Sequence, residues 1–213
     1  HIDETDDPQS RFTGTLASET IKRGLGNDIT ASHATALHSY SDAYADKLVR
    51  LLGESGANVV TNPMTNAALQ GRYDDFPRRR GHTRIKALRE QGVKVGIGQD
   101  SIADHFHSYG DGDMLKVGFI LAHYAHMNGK NDSEKIWNML LEGNAAVYGV
   151  DGYGIDEGNE GSLVVYDALT AFDALRTQPV RSLVLRDGRQ IAKSTQSTTV
   201  YTGDKEEHID FEF

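Results

Sequence analysis

Residues 93–100 read Val93-Lys94-Val95-Gly96-Ile97-Gly98-Gln99-Asp100, an apolar run that ends on two polar residues. Runs of this length and composition are typical of a strand buried on both faces, as in a parallel sheet. Two further strands are predicted upstream, at 27–33 and 58–61, with helical patterns between them, and an apolar helix is predicted over 114–127. Alternating strands and helices with short connections predict a parallel sheet with its helices on the outside.

The number of strand–helix units sets the size of this α/β fold. Three to four units are visible, whereas a complete eightfold barrel needs eight and about 250 residues. Residues 1–152 are therefore predicted to form half of a TIM-type (β/α)8 barrel. The chain also begins without Met, at a histidine placed like the end of a strand, so we expect it to be part of a longer protein.

The pattern changes near residue 153. Strand-like segments at 161–167, 180–185 and 198–201 predict a small antiparallel β portion over residues 153–213. The last ten residues, Asp204 to Phe213, are acidic, and we expect them to form a surface extension.

The composition excludes several classes of function. The chain has 22 Lys+Arg and 31 Asp+Glu, a formal net charge of −9, which argues against a nucleic-acid partner. No apolar run reaches the roughly 18 residues of a membrane span. There are no cysteines, so disulfides and thiolate metal sites are excluded and any metal must be held by His and carboxylate. This composition fits a cytoplasmic protein.

Ionisable side chains follow the predicted strands at their carboxyl ends. The first strand end gives His1 and Glu4, the next gives His33, and the last gives Gln99 and Asp100. In a parallel α/β barrel the active site lies at that end, so these residues are predicted to share one rim. Imidazole and carboxylate are ligands of hydrolytic Zn²⁺ and Fe²⁺ centres, which predicts a metal-dependent site.

Other ionisable motifs receive structural interpretations. His105 and His107 imitate a metal-binding His-x-His pair, but they lie in a loop after Asp100 and are not expected to be ligands. His38 is expected to be a structural hydrogen-bonding residue. The run 78–80, three arginines, is interpreted as a solvated loop, an oligomer contact or the partner of a carboxylate.

Several longer motifs run through the chain in a fixed order. They are His1-x-Asp-Glu4-x-Asp-Asp-x-Gln-Ser-Arg11, Thr30-Ala-Ser-His33-x-Thr-Ala-x-His-Ser-Tyr40, Asn62-Pro63, Leu69-Gln70-Gly71-Arg72, Arg79-Arg80-Gly81, Gly98-x-Asp100, Phe172-Asp173-Ala174-Leu175-Arg176 and Thr198-Thr199-Val200-Tyr201. Together they resemble the bacterial cytosine deaminases of the amidohydrolase superfamily. The resemblance implies a (β/α)8 barrel with a small β-sandwich, in which this chain starts at barrel strand five.

The resemblance also implies roles for individual residues. His1 is similar to the metal ligand of strand five and Asp100 to that of strand eight, together holding one divalent ion, Zn or Fe. Glu4 resembles the acid/base that carries a proton to the ring nitrogen. His33 resembles the strand-six histidine that orients the nucleophile and the substrate. The resemblance also implies a homo-oligomer.

Three departures from the family pattern bear on the substrate. The His-x-His pair of strand one is missing, together with everything on strands two to four. Gln99 stands where the family usually has His, and Ser101 stands where cytosine deaminases tend to have a second Asp. Both residues are expected to lie against the substrate. The smaller, neutral Ser101 leaves room beside the ring and predicts a larger substrate, such as a 5-substituted cytosine.

The sequence therefore predicts a metal-dependent deaminase of a pyrimidine-like base, with cytosine as the default substrate. One alternative is a related ring deaminase that acts on isocytosine, isoguanine or a creatinine-like amidine. A second alternative is a non-catalytic half-barrel or assembly module, which the missing strand-one pair supports. Half a barrel leaves strand edges open, so we expect the other half to come from earlier residues or a second chain.

Overall fold

The computed structural model describes residues 1–203 and 205–208, and the chain divides into two compact units between Asp151 and Gly152. The first unit contains a parallel sheet with helices, and the second contains antiparallel strands. Within the described residues, no helix is both long and apolar enough to cross a membrane.

The first unit is built on a three-stranded parallel sheet. Its strands β1 (Thr30–Ser32), β2 (Asn58–Thr61) and β3 (Val95–Ile97) lie in the order β1-β2-β3, and every residue of β2 and β3 is buried. Ile2 pairs in parallel with His33, so the start of the chain lies beside β1 like a further strand. The predicted parallel α/β arrangement is confirmed. β1 is shorter than predicted because a 3-10 turn occupies residues 26–28.

Helices connect and surround these strands. They are α1 (Phe12–Arg23), α2 (Asp42–Ser55), α3 (Pro63–Leu69), α4 (Ile85–Glu90), α5 (Met114–Tyr124), α6 (Lys130–Asn138) and α7 (Asn144–Tyr148), with a π-helical turn, Met139–Gly143, between the last two. The amphipathic α2 shows how they pack, since its buried residues Ala45, Leu48, Val49 and Leu52 form one stripe. These side chains supply part of the core between α2 and its neighbours.

The start of α1 differs from the local sequence pattern. Asp7 followed by Pro8 is a good helix start, yet the helix begins at Phe12. The reason lies upstream: the carboxylate of Asp3 accepts hydrogen bonds from the backbone N–H groups of Phe12 and Thr13. These are first-turn groups that have no partner inside a helix, so Asp3 takes the part of a cap from nine residues away.

The outer edge of β3 is partly covered by a side chain of the same unit. The N–H of Ile97 donates to Asn144 Oδ1 at 2.8 Å, and Asn144 Nδ2 donates to the carbonyl of Ile97 at 2.9 Å. One amide thus supplies both the acceptor and the donor that a neighbouring strand would supply. We expected this strand edge to be open, and at Ile97 it is not.

Among the described residues, the second unit contains five strands and one helix. β4 (Leu163–Tyr166), β5 (Arg181–Arg186) and β6 (Arg189–Lys193) form an antiparallel sheet in that order, with α8 (Ala171–Thr177) between β4 and β5; β7 (Thr199–Thr202) and β8 (Lys205–His208) form an antiparallel pair. Part of the expected acidic extension is therefore β8. Its other residues, Asp204 and 209–213, lie outside the described residues.

Replacing Asn144 by Ala is expected to destabilise the protein by about 3 kcal/mol, because the N–H and C=O of buried Ile97 both lose their partner. Denaturant unfolding of the intact protein measures the loss. Asn138→Ala, at an exposed position on the neighbouring α6, is the matched control and should change stability by less than about 0.5 kcal/mol. Equal losses in the two variants would contradict the edge-covering role.

Candidate active site at the carboxyl ends of the strands

Four of the residues predicted to form the site lie together at the carboxyl ends of the strands. The Nε2 of His33 is 2.9 Å from Nδ1 of His1, 3.9 Å from Oε2 of Glu4 and 3.9 Å from Oδ1 of Asp100. His1 Nδ1 and Glu4 Oε2 are 3.6 Å apart. We call these four residues the His–carboxylate cluster; it comes from three separate strand ends, as the parallel arrangement requires.

His33 is the buried centre of the cluster. It has no exposed surface, and its ring Nδ1 is 3.0 Å from Oδ1 of Asn66 in α3. With Nδ1 against this amide oxygen, Nε2 is the ring nitrogen that faces the cluster. The Thr83 hydroxyl donates to the carbonyl of His33 at 2.8 Å. No sequence pattern predicted the contacts of Asn66 and Thr83, since neither residue lies near His33 along the chain.

Backbone conformation is unusual at three positions of the site. Asp3, His33 and Asp100 have positive φ angles of 46°, 76° and 66°, a region that side-chain-bearing residues rarely adopt. Such residues persist only where the surrounding structure holds them, and they concentrate at functional sites. The strand ends at His33 and Asp100 therefore bend sharply where their side chains enter the cluster.

The Asp100 carboxyl is partly withdrawn from water. Burial raises its pKa above the ordinary value, and the negative charges of Glu4 and Asp104 raise it further, against a lowering effect of His33. Two carboxyl groups, of Glu4 and Asp100, thus lie within 4 Å of the His33 ring, an arrangement that favours binding of positive charge.

Gln99 and Ser101 flank Asp100, but their hydrogen bonds lead away from the cluster. Gln99 Nε2 donates to the carbonyl of Ser101 at 3.2 Å, and the Gln99 carbonyl accepts from the Thr65 hydroxyl at 2.9 Å. Both residues are buried, with exposed fractions of 7% and 8%. Their predicted contact with substrate remains a prediction, while the structure places Gln99 against the backbone of its own loop.

His107 lies deeper than expected. It is buried in the loop after Asp100, and its Nδ1 has no hydrogen-bond partner among the described residues. Neither His107 nor the exposed His105 belongs to a group of potential metal ligands in the described part of the chain. That His105 and His107 do not replace the missing His-x-His pair stays a prediction.

The chain matches the family model described as "Amidohydrolase family" over residues 1–192, nine-tenths of its length. It belongs to the amidohydrolase family. A solved structure with strong similarity is 5-methylcytosine deaminase from Klebsiella pneumoniae liganded with 5-fluorocytosine. The two are 38% identical with a TM-score of 0.89, over 94% of this chain and 49% of the other.

Two curated relatives are more distant. One is pterin deaminase from Rhizobium rhizogenes, 28% identical over 91% of this chain and 44% of its own. The other is N-isopropylammelide isopropyl amidohydrolase from a Pseudomonas species, 28% identical over 84% of this chain and 41% of its own. These names describe hydrolytic enzymes that act on C–N bonds. The chain spans a little under half the length of these three relatives.

Enzymes of the amidohydrolase family depend on metal ions, and the donors of the cluster fit such an ion. One nitrogen or oxygen atom each from His1, Glu4 and His33 lies within 4.8 Å of the other two. Imidazole nitrogen and carboxylate oxygen are the ligand types of Zn²⁺ and Fe²⁺. Asp100, a predicted ligand, lies beside this group of three and approaches it through His33.

The stretch that carries His1 and Glu4 is anchored by a buried carboxylate. Asp3 accepts hydrogen bonds from the Ser10 hydroxyl (2.7 Å), the Phe12 N–H (2.9 Å), the Thr13 N–H (2.7 Å) and the Thr13 hydroxyl (2.6 Å). Burial raises the pKa of Asp3, but these hydrogen bonds outweigh it and leave the pKa below its ordinary value. Asp3 is therefore an ionised anchor between two residues of the cluster.

Asp6 ties the same stretch to the loop after α3. Its carboxylate accepts from the Gly81 N–H at 3.2 Å, and its carbonyl accepts from the Arg79 guanidinium. Arg79 also makes a two-pronged ion pair with Asp74, with Nε–Oδ2 and Nη2–Oδ1 both at 2.6 Å. Of the interpretations given for the arginine run, the carboxylate partner is what the structure shows for Arg79.

Substituting Asp3 by Ala is expected to cost on the order of 3 kcal/mol, because four buried or half-buried donors lose a charged acceptor. Unfolding of the intact protein in urea measures the cost. Asp46→Ala, which removes an exposed carboxylate on α2, is the control and should change stability by less than about 0.5 kcal/mol. If Asp3→Ala were as stable as the control, Asp3 would not be an anchor.

Proposed function

We propose that the protein containing this chain is a metal-dependent hydrolytic deaminase of a pyrimidine-like ring. The observation that carries the proposal is the convergence of His1, Glu4, His33 and Asp100 at one rim of a parallel α/β fold. Membership of the amidohydrolase family and 38% identity to a 5-methylcytosine deaminase support it. In the proposed reaction, water replaces an exocyclic amino group by oxygen and ammonia is released.

The proposal includes the architecture of the whole enzyme. We infer that β1, β2 and β3 are strands six to eight of a (β/α)8 barrel and that the segment around Ile2 is the end of strand five. The second unit then contributes part of a β-sandwich. The relatives are about twice as long as this chain, which supports a further half that supplies strands one to four and the remaining metal ligands.

In the proposed site His1 and Asp100 hold one divalent ion, Zn or Fe. When bound, such an ion lowers the pKa of a water molecule towards neutrality and so supplies a nucleophile at neutral pH. Asp100, directed into the cluster by its left-handed backbone, accepts the proton that the attacking water loses. His33, whose Nε2 faces the cluster, orients the nucleophile and the substrate by hydrogen bonding.

Glu4 is the proposed carrier of protons. Its side chain is 40% exposed, the most accessible carboxylate of the cluster, and its Oε2 lies within 4 Å of both imidazoles. A carboxylic acid in this position donates one proton to the ring nitrogen during attack, and the proton that Asp100 takes from water goes to the amino group, which leaves as ammonia. The exposed face lets the residue exchange protons with solvent between turnovers.

The proposed substrate is a cytosine substituted at position 5. Ser101 is small and neutral and directly follows Asp100, which leaves space beside a bound ring. The name of the Klebsiella pneumoniae relative, 5-methylcytosine deaminase, agrees with this choice. Relatives named for a pterin and for an ammelide derivative favour a second candidate, a deaminase of another amidine-containing ring.

The proposal predicts that the intact protein contains about one Zn or Fe per chain and releases ammonia faster from 5-methylcytosine than from cytosine. Metal analysis and ammonia release from cytosine, 5-methylcytosine, isocytosine, isoguanine, creatinine and pterin measure this. Equal or better kcat/KM for cytosine than for every other ring would overturn the choice of substrate. No bound metal and no ammonia, even after metal is added, would indicate a non-catalytic assembly module.

Glu4→Gln is expected to lower kcat at least about 100-fold while metal content stays unchanged, because a carboxamide cannot carry the proton. Steady-state kinetics with 5-methylcytosine and metal analysis measure the two effects. Glu54→Gln, on the exposed surface of α2, removes a carboxylate remote from the cluster and should leave kcat within about 2-fold of the original. A Glu4→Gln variant with normal kcat would assign proton transfer to another group.

A further inference from the structure

The peptide units on both sides of Asp100 are held by one hydroxyl group. Thr65 Oγ1 donates to the carbonyl of Gln99 at 2.9 Å and accepts from the N–H of Ser101 at 3.3 Å. A hydroxyl has one donor and two acceptor positions, so Thr65 can make both hydrogen bonds at once. The pair of bonds brackets Asp100 without touching its carboxylate.

Asp100 requires such support. Its φ of 66° lies in the left-handed region, which residues other than Gly adopt only when their surroundings hold them there. The last sheet hydrogen bond before it joins the Gly98 N–H to the Thr61 carbonyl. Beyond that point the described backbone bonds of Gln99 and Ser101 are those to Thr65 and to the Gln99 side chain.

Thr65 is buried and lies in helix α3. Its exposed fraction is 1%, and it lies in α3, which starts two residues after β2. The next residue of the same helix, Asn66, holds the ring of His33. Consecutive residues of α3 therefore hold a group after β3 and a group after β1, the two strands on either side of β2.

We propose that Thr65 is a positioning residue that fixes Asp100 and Ser101, and that α3 aligns the two neighbouring strand ends of the site. β2 contributes no residue to the His–carboxylate cluster, yet its following helix sets the spacing between His33 and Asp100. The hydroxyl keeps the Asp100 carboxylate directed at His33 and fixes the backbone from which the Ser101 side chain leaves. This inference rests on the proposed function for its consequences in metal binding and catalysis.

The test compares three variants of the intact protein. Thr65→Val keeps the shape of the side chain and removes both hydrogen bonds, while Thr65→Ser keeps the hydroxyl. Thr35→Val is the matched control, since Thr35 is fully buried and its hydroxyl has no hydrogen-bond partner among the described residues. If Thr65→Val does not fold, Thr65→Ala, which introduces no new contact, takes its place.

Three readouts separate positioning from general stability. We expect Thr65→Val to weaken Zn²⁺ affinity, measured by competition with a chelator, about 10- to 100-fold. We expect kcat for 5-methylcytosine to fall by a similar factor with a smaller change in KM, and the Ser101 amide to exchange hydrogen faster. Thr65→Ser should recover each quantity to within about 3-fold of the original, and Thr35→Val should change none of them.

The outcomes distinguish this inference from the proposed function. Metal affinity, kcat and Ser101 exchange in Thr65→Val equal to those of Thr35→Val would overturn the inference and leave the deaminase proposal intact. An original protein without metal or deaminase activity would overturn the proposed function. In that case hydrogen exchange of the Ser101 amide still tests the inference. Faster exchange in Thr65→Val that returns to the original rate in Thr65→Ser supports the positioning of Asp100 by Thr65. Unchanged exchange in Thr65→Val overturns it.

Discussion

The site depends on one buried imidazole that is held from outside its own strand. His33 presents Nε2 to His1, Glu4 and Asp100 because Asn66 binds the opposite nitrogen of the ring. A histidine with no exposed surface has little freedom to rotate, and its Nε2 meets groups from two other strand ends. His1, Glu4 and Asp100 each lie within 4 Å of Nε2 of His33, so this atom is the centre of the site.

The first stretch of the chain holds two kinds of carboxylate, which differ in the hydrogen bonds that they accept. Asp3 and Asp6 are buried and saturated with hydrogen-bond donors, so they serve as anchors for the first stretch of the chain. Glu4 lies between them and accepts no comparable set of hydrogen bonds among the described residues. Asp3, Glu4 and Asp6 thus lie within four residues of each other, and the two anchors hold the stretch that carries Glu4.

Helix α3 and the loops that follow the strands make hydrogen bonds to the residues of the site and to their neighbours. Short strands define where His33 and Asp100 leave the sheet, but both residues leave it with a left-handed backbone that strand geometry alone does not favour. Next to these bends, the Thr83 hydroxyl donates to the carbonyl of His33 and the Thr65 hydroxyl of α3 donates to the carbonyl of Gln99. Asn144 has a similar part at the edge of β3, where it satisfies the backbone of Ile97.

The sequence alone determined the α/β class, the parallel strand order and the four residues that converge at the strand ends. Local periodicity predicted the sheet with His and carboxylate residues after its strands, and parallel strands place their carboxyl ends on one edge. The resemblance to the amidohydrolase superfamily selected the four residues. The sequence did not predict the true start of α1 or the orientation of Gln99. It also did not predict the hydrogen-bonding roles of Asn66, Thr65 and Asn144. Each of these depends on hydrogen bonds between residues that are distant along the chain or in different elements, and only the tertiary structure brings such partners within about 3 Å of each other.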